Sequence, residues 1–143
     1  MKKHFVFAIF AFGIIFISTQ TWADISEASF MPQGSEFHAP VRESQVEVFV
    51  YKPDFKFKVI GIIEAHGMAG GSTSLLDQLD IVSKLFDAPP GEKEDIALAL
   101  KALKSEAAKA GATGVIIMRS QQVRVSQNAT ERRIKAAAIL RAD

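Results

Sequence analysis

The sequence predicts a two-layer α+β domain, in which one long amphipathic helix packs on a mostly antiparallel four-stranded sheet in the order ββ(α)αββ. Two observations carry this prediction: apolar and polar residues alternate on both sides of the chain's centre, and between them lies one apolar stripe at helical spacing. A chain of 143 residues has room for a single domain. Because it contains no cysteine, its core must form without disulfides or thiolate metal sites.

The first 23 residues, 1–23, have the three parts of an export signal. Lys2 and Lys3 precede the apolar run 5–17, and Ala23 ends a polar stretch with the small residue that a signal peptidase requires. The alternative is an uncleaved anchor, but polar residues interrupt the run before the roughly 20 apolar residues that a spanning helix needs. We therefore predict a cleaved signal peptide and a periplasmic or secreted domain with no membrane span.

Residues 24–45 show no sustained hydrophobic period, and we predict a mobile N-terminal arm there. The single α+β domain is then expected to occupy residues 46–143. Its first strand is predicted at residues 46–51, where valines alternate with other side chains until Pro53 ends the run. A second strand is predicted at residues 55–65 by the same alternation.

Residues 67–91 are predicted to be an insertion, composed of a glycine-containing loop and a short helix. Leu75 and Leu79 have helical spacing, and Ser74 stands where it would cap the first turn. Prolines and a glycine at residues 89–91 end this helix.

The long helix has the clearest pattern in the chain. Ile96, Leu100, Leu103 and Ala107 fall on one face, while charged residues lie off that face. Gly111 follows, and a glycine can take the left-handed conformation that ends a helix. The apolar face predicts that this helix covers one side of the sheet.

Two further strands are predicted after the helix. Residues 115–118 are a buried-strand run, and Val123 and Val125 continue it with alternation. Segment 131–141 has two interpretations, since its alanines favour a helix whereas its alternating pattern favours a strand. We predict a strand there, because a turn directly after a strand favours a hairpin partner.

Three pieces of the sequence resemble small bacterial envelope domains of the YbjQ and RcsF kind. They are VIGIIEA at residues 59–65, AAKAGATGVII at residues 107–117 and IKAAAI at residues 134–139. This YbjQ-like resemblance implies a small βαβ-type domain without established catalysis, used in envelope stress sensing or assigned to heavy-metal binding. The chain lacks the cysteines that RcsF-like proteins carry for disulfides and lipidation, so the resemblance implies a fold and no site residues.

Charge is segregated along the chain. Residues 113–142 hold six basic side chains against Glu131 alone, whereas residues 24–51 hold five acidic ones against Arg42. The candidate residues of an anion-binding face are Arg124, Arg132, Arg133, Lys135 and Arg141. Such a face would attract an acidic envelope protein or another anionic surface. The alternative is a solvated face that the acidic arm covers.

The loop after the second strand is another candidate site, because backbone amides between a strand and a helix can hold an anion. Its candidate ligand residues are His66, Gly70, Gly71 and Ser72. The loop has no P-loop lysine, and His66 with Glu64 supplies too few ligands for zinc, so we predict neither nucleotide nor metal binding. A hydrolase would need Ser72 or Ser74 with His66 and Asp77, and the nucleophile-elbow motif is absent.

We therefore expect an exported, non-catalytic periplasmic protein without a cofactor, acting as an envelope stress or interaction module. A small-ligand-binding or metal-binding protein that uses residues 67–74 is the alternative, and a hydrolase is a third possibility. The net charge of +1 argues against a nucleic-acid partner, which would demand a strongly basic domain. The sequence leaves the oligomeric state and the partner's identity open.

Overall fold

The computed structural model describes residues 24–69, 86, 90–127 and 129–142. Over these ranges the chain forms the elements β1 (Ile25–Pro32), β2 (Glu47–Phe49), β3 (Phe57–Met68), α1 (Pro90–Lys109), β4 (Gly114–Arg124) and β5 (Thr130–Arg141), with a short 3₁₀ helix at Glu43–Gln45. The predicted leader lies outside the described residues. So do Gly70, Gly71 and Ser72 and nearly all of the predicted short helix, of which only Phe86 is described.

The strands form one sheet in the order β1-β3-β5-β4-β2. Neighbouring strands are antiparallel except for β2 and β4, which run parallel over three residues. The α+β class, the mostly antiparallel sheet and the long helix are confirmed. The C-terminal segment is a strand as predicted, and it lies at the centre of the sheet between β3 and β4. The count of four strands is wrong, because β1 adds a fifth within the described chain.

Residues 25–32, which the sequence analysis assigns to a mobile arm, form the edge strand β1 instead. All eight residues pair with β3. Two of its helix-facing side chains are small, Ser26 and Ala28, and the Ser26 hydroxyl donates a 2.8 Å hydrogen bond to the carbonyl of Leu98 in α1. The hydrophobic period is weak because these positions need little apolar surface, so the alternation is hard to detect in the sequence.

Two other strands differ from their predicted bounds. β2 is only three residues long, and Tyr51, which was assigned to that strand, is 85% exposed. β3 continues past residue 65 to Met68, so His66 lies in a strand rather than in a loop. β3 continues this far because it has a hydrogen-bonding partner on each side, Glu27 of β1 and Arg133 of β5 standing opposite His66.

Helix α1 packs across one face of the sheet and forms the core with it. Side chains from both layers are fully buried at their contact, among them Ile63 and Ile134 from the strands and Leu100 and Leu103 from the helix. The apolar stripe predicted for the helix is therefore the stripe that faces the sheet. No helix in the described part of the chain is long and apolar enough to cross a membrane.

Two glycines shape how the helix lies on the sheet. A Cβ at Gly67 in β3 would overlap the backbone of Asp95 and Ala99, so the absence of a side chain there lets strand and helix approach closely. Gly111 has a φ of +79° directly after the helix, which is the left-handed ending that the sequence predicts.

The opposite face of the sheet carries no helix within the described ranges, and its two ends differ. At one end Phe55 contacts Phe49 and Phe57 edge to face, with ring centroids 5.6 and 6.3 Å apart. Ile139 lines the same small cavity as Phe49 and Phe55 and is buried. At the other end the side chains are polar and partly exposed, and they form the candidate site.

Candidate functional site

A cleft of about 230 Å³ lies on the uncovered face, where β3, β5 and β4 run side by side. We call it the polar cleft, and we define it by its six polar side chains, which are Glu64, His66, Arg119, Gln121, Arg133 and Lys135. Each strand contributes two of them, spaced two residues apart. This spacing is the one that places side chains on the same face of a strand.

Strand register arranges the polar cleft in two rows. Lys135 on the central strand stands opposite Glu64 on one side and opposite Arg119 on the other. One step further along, Arg133 stands between His66 and Gln121 in the same way. Side chains directly opposite one another on neighbouring strands are close enough to interact, so each row is a set of three neighbours.

A β-bulge in β4 is what brings Arg119 and Gln121 into these rows. Ile117 pairs with Ala136 of β5, and the neighbouring residue of β5, Lys135, pairs with Arg119. Met118 therefore has no partner in this register. The extra residue shifts the alternation of the strand by one. If the same sequence paired regularly, with Met118 opposite Lys135, Arg119 and Gln121 would face the helix.

The first row carries an excess of positive charge. The Lys135 ammonium lies 3.1 Å from a Glu64 carboxylate oxygen, and both side chains are nearly half exposed. Arg119 is exposed, and none of the described residues forms a hydrogen bond or ion pair with its side chain. Within the described chain, all five N–H donors of this guanidinium are therefore available to solvent or a ligand.

The second row is organised by Glu131, whose side chain is only 13% exposed. One of its carboxylate oxygens accepts hydrogen bonds from His66 Nδ1 at 2.9 Å and from Arg133 Nε at 2.6 Å. The hydrogen bond from His66, followed by the hydrogen bond and charge of Arg133, holds the pKa of Glu131 below its usual value although burial opposes this shift. Glu131 is thus an ionised anchor for the two cleft side chains.

This arrangement fixes which atoms the second row offers to a ligand. Because the ionised carboxylate can only accept, His66 must carry its proton on Nδ1, and Nε2 is the ring nitrogen that remains for another group. Arg133 uses Nε for Glu131, which leaves the two terminal nitrogens of its guanidinium. A planar pair of N–H donors of this kind matches a carboxylate or phosphate.

The predicted basic face is only partly assembled. Arg133 and Lys135 lie together in the polar cleft, and His66 joins them although it was assigned to a different candidate site. Arg141 lies at the far end of β5, where its guanidinium stacks 4.5 Å from the centre of the Phe55 ring. Arg141 therefore shares the uncovered face with Arg133 and Lys135 as predicted, but six residues of extended strand, roughly 20 Å, separate it from Lys135 and place it outside the polar cleft.

The other two predicted basic residues are on the helix side of the sheet. Arg132 is 9% exposed and its guanidinium lies 2.7 Å from the Glu92 carboxylate of α1. Arg124 is exposed but stands opposite Thr130, whose hydroxyl points to the helix. Alternation along β5 and the bulge in β4 turn both side chains away from the polar cleft, so the prediction that they share its face is wrong.

A separate polar network joins α1 to the covered face of the sheet. The Asp95 carboxylate, 5% exposed, accepts hydrogen bonds from the amide of Ala69 at 2.7 Å, from the Gln122 side chain at 2.9 Å and from the Thr130 hydroxyl at 3.2 Å. Arg132 makes a second set of contacts between the two layers, with Glu92 of α1 and with the hydroxyl of Ser120 in β4. Because both sets link the helix to the strands, their role is structural.

Three of the four predicted loop ligands, Gly70, Gly71 and Ser72, lie outside the described residues. His66 is described, and its Nδ1 lies 2.9 Å from Glu131, whereas Glu64, which the sequence offers as a second ligand beside it, forms an ion pair with Lys135. In the described part of the chain, no three His, Asp or Glu side chains cluster closely enough to hold a metal ion.

Comparisons with known proteins give one similarity. No protein-family model and no curated protein matches the chain. Among solved structures, the chain is similar to the crystal structure of a Francisella virulence factor, FvfA, with 16% sequence identity and a TM-score of 0.47. The match covers 78% of this chain and 96% of that one. None of these comparisons bears on the resemblance to YbjQ and RcsF domains, which stays an expectation.

Proposed function

We propose that the chain is an exported, non-catalytic interaction module of the bacterial envelope that binds an acidic protein partner at the polar cleft. The observation that supports this proposal is Arg119, an exposed guanidinium beside Lys135 that has no counter-ion among the described residues. The leader and the resemblance to envelope domains favour the location, and the cleft favours binding over chemistry.

The charges of the cleft favour an anionic ligand. The carboxylate of the cleft, Glu64, is already engaged with Lys135, and the neighbouring carboxylate of Glu131 is engaged with His66 and Arg133. Arg119 is left as the excess positive charge, with unused donors of Arg133 one row away. A carboxylate placed between these two groups would receive charge-assisted hydrogen bonds from both, which are stronger than neutral ones.

An acidic protein segment fits the cleft better than a membrane surface does. The cleft is concave, and its basic groups are interspersed with Glu64 and Glu131, while Glu27 stands opposite His66 on β1. A layer of anionic headgroups would bring negative charge against these carboxylates as well as against Arg119. A single carboxylate side chain can reach Arg119 without meeting them.

The test is salt-dependent binding of a defined polyanion. We expect the chain from residue 24 to 143 to bind poly-L-glutamate at low ionic strength. We expect Arg119→Glu to weaken this binding at least tenfold, since it reverses the charge of the unpaired group. Lys101→Glu is the matched control, because it reverses an exposed charge on the outer side of α1, outside both the cleft and β4, and it should change binding less than twofold.

Three results would overturn the proposal. One is equal loss of binding in both variants, which would indicate attraction to net charge without a site. Another is binding to phosphatidylglycerol vesicles but not to poly-L-glutamate, which would identify a membrane surface as the partner. Binding that is insensitive to Arg119→Glu would likewise remove the polar cleft from the function.

A hydrolase is the second candidate, and one observation favours it. His66 is oriented by the Glu131 carboxylate with Nε2 free, which is the relation between base and orienting acid in a catalytic triad. No serine or threonine lines the polar cleft as described, and the predicted nucleophiles Ser72 and Ser74 lie outside the described residues. Stoichiometric labelling by a fluorophosphonate probe, lost in Ser72→Ala or Ser74→Ala, would establish this function in place of the first.

A further inference from the structure

We propose that the acidic partner binds as an added β-strand along the outer edge of β4, at residues 118–124, with its acidic side chains in the polar cleft. This inference rests on the proposed function, since the same partner occupies both the edge and the cleft. It specifies what that function leaves open, which is the backbone conformation of the partner and the spacing of its acidic residues.

The edge exists because β2 is much shorter than β4. The inner edge of β4 pairs with β5 from Gly114 to Arg124, whereas its outer edge pairs with β2 only from Gly114 to Ile116. In the described chain no strand covers the outer edge beyond that point. Along these seven residues of extended backbone, about 23 Å, alternate residues therefore direct their amides and carbonyls to where a further strand would lie.

The position of β2 shows where an added strand would sit. β2 occupies the sheet position next to β4 and the chain leaves that position after Phe49. A partner segment alongside residues 118–124 would continue the same position as a second short strand in line with β2. Extended peptides bind other proteins in this way by adding to an exposed sheet edge.

The charge of the edge selects an acidic segment over a second copy of this chain. Residues 118–124 include two arginines, Arg119 and Arg124, and no acidic residue. If two copies met edge to edge, like charges would lie against each other, which disfavours pairing. An acidic segment has the opposite preference, because its carboxylates gain the Arg119 guanidinium, which has no ion-pair partner among the residues that the structure describes.

Register connects the edge with the polar cleft. A partner residue opposite Arg119 on the uncovered face would extend the row of Glu64, Lys135 and Arg119 to a fourth strand. A partner residue two positions away would extend the second row beyond Gln121. Because neighbouring strands bring opposite side chains within about 4.5–5.5 Å at Cβ, an acidic residue in the first position is within reach of the guanidinium. The recognition pattern is therefore an extended segment with acidic residues at alternate positions.

The probe is a synthetic peptide of seven residues in which glutamate alternates with valine. Two N-methylated versions carry the same charge. In one version the backbone N–H groups of alternate residues are blocked, and in the other version those of the residues between them are blocked. In an added strand only one set faces β4. We therefore expect one version to lose at least tenfold in affinity for the chain from residue 24 to 143, and the other to bind like the parent peptide.

Hydrogen exchange gives an independent readout. Binding of the parent peptide should slow exchange at least tenfold for alternate amides within residues 118–124 and leave β1, the other long edge strand, unchanged. Protection of β1 instead, or no protection of β4, would overturn strand addition.

The outcomes separate this inference from the proposed function. If both methylated peptides bind like the parent and Arg119→Glu still abolishes binding, the cleft binds an acidic partner but the added strand is wrong. If no peptide binds and poly-L-glutamate does not bind either, both proposals fall together.

Discussion

The two faces of the sheet are made by the same strands and differ in almost every property. On the helix side Ile63, Ala65, Ile134 and Ala136 are completely or almost completely buried. One residue along each strand, the side chains turn to the uncovered face and form the polar cleft. Strand alternation thus separates the residues that hold the fold together from those available to a partner, so substitutions on the two faces should affect different measurements.

Polar groups also differ between the two faces. On the covered side both oxygens of Asp95 are engaged by groups from β4, β5 and the chain after β3. On the uncovered side Arg119 has no partner among the described residues. A carboxylate engaged through both oxygens on the covered side and an exposed guanidinium without a described partner on the uncovered side indicate structural and binding roles respectively, and three substitutions can break or sharpen this division.

The largest effect is expected in the core on the covered face. Leu103→Ala removes a side chain with no exposed surface and should lower the free energy of unfolding by about 2–5 kcal/mol, through lost burial and the cavity left behind. Lys101→Ala on the exposed side of the same helix is the control and should cost less than about 0.5 kcal/mol. Urea unfolding measures both, and equal costs would contradict the assignment of the helix's buried face.

An intermediate effect is expected for the buried carboxylate. Asp95→Ala removes the acceptor of three hydrogen bonds and should cost about 2–3 kcal/mol in unfolding free energy, because the donors lose a charged partner inside the protein. Asp95→Asn retains one acceptor oxygen and should cost less. If the two variants were equally stable, the network would contribute through packing alone.

The smallest effect is expected on the uncovered face and depends on pH. Since the folded state lowers the pKa of Glu131 from 4.5, its ionised form stabilises the protein above that pH, and this contribution is lost as pH falls through the lower folded value. Glu131→Gln should therefore cost about 1 kcal/mol at pH 7 and progressively less below about pH 4.5.

Unfolding curves at pH 7, 5 and 3 test this expectation, with Glu43→Gln at an exposed position outside the cleft as the control. A gap between wild type and Glu131→Gln that stays constant over this range would show that the carboxylate does not stabilise the fold through its charge.

The elements with strong periodicity could be predicted from the sequence. The stripe through Leu100 and Leu103 identifies the helix, and alternation identifies β3 and β5, because a buried face needs a regular supply of apolar side chains. β1 could not be predicted in the same way, since an edge strand whose inward positions include Ser26 and Ala28 buries little apolar surface. Edge strands in general give weaker signals than central ones for this reason.

The candidate site was predicted less completely than the fold. Counting charges along the chain groups Arg132 with Arg133, although neighbours in a strand point to opposite faces. The contact between His66 and Glu131 joins residues 65 positions apart, and only the pairing of β3 with β5 brings them together. Arg119 and Gln121 depend on an irregularity in β4 that no periodic pattern reveals.

The unpaired Met118 decides where along β4 a change in length can be absorbed. Deleting it would restore strict pairing between β4 and β5 and would leave Arg119 opposite Lys135 on the uncovered face. Deleting one paired residue just after Arg119 would instead turn the following residues to the other face, so that Gln121 would lie beneath α1 and Gln122 would leave Asp95. The length of this strand should therefore be strictly constrained at its paired positions and tolerant of change at the bulge.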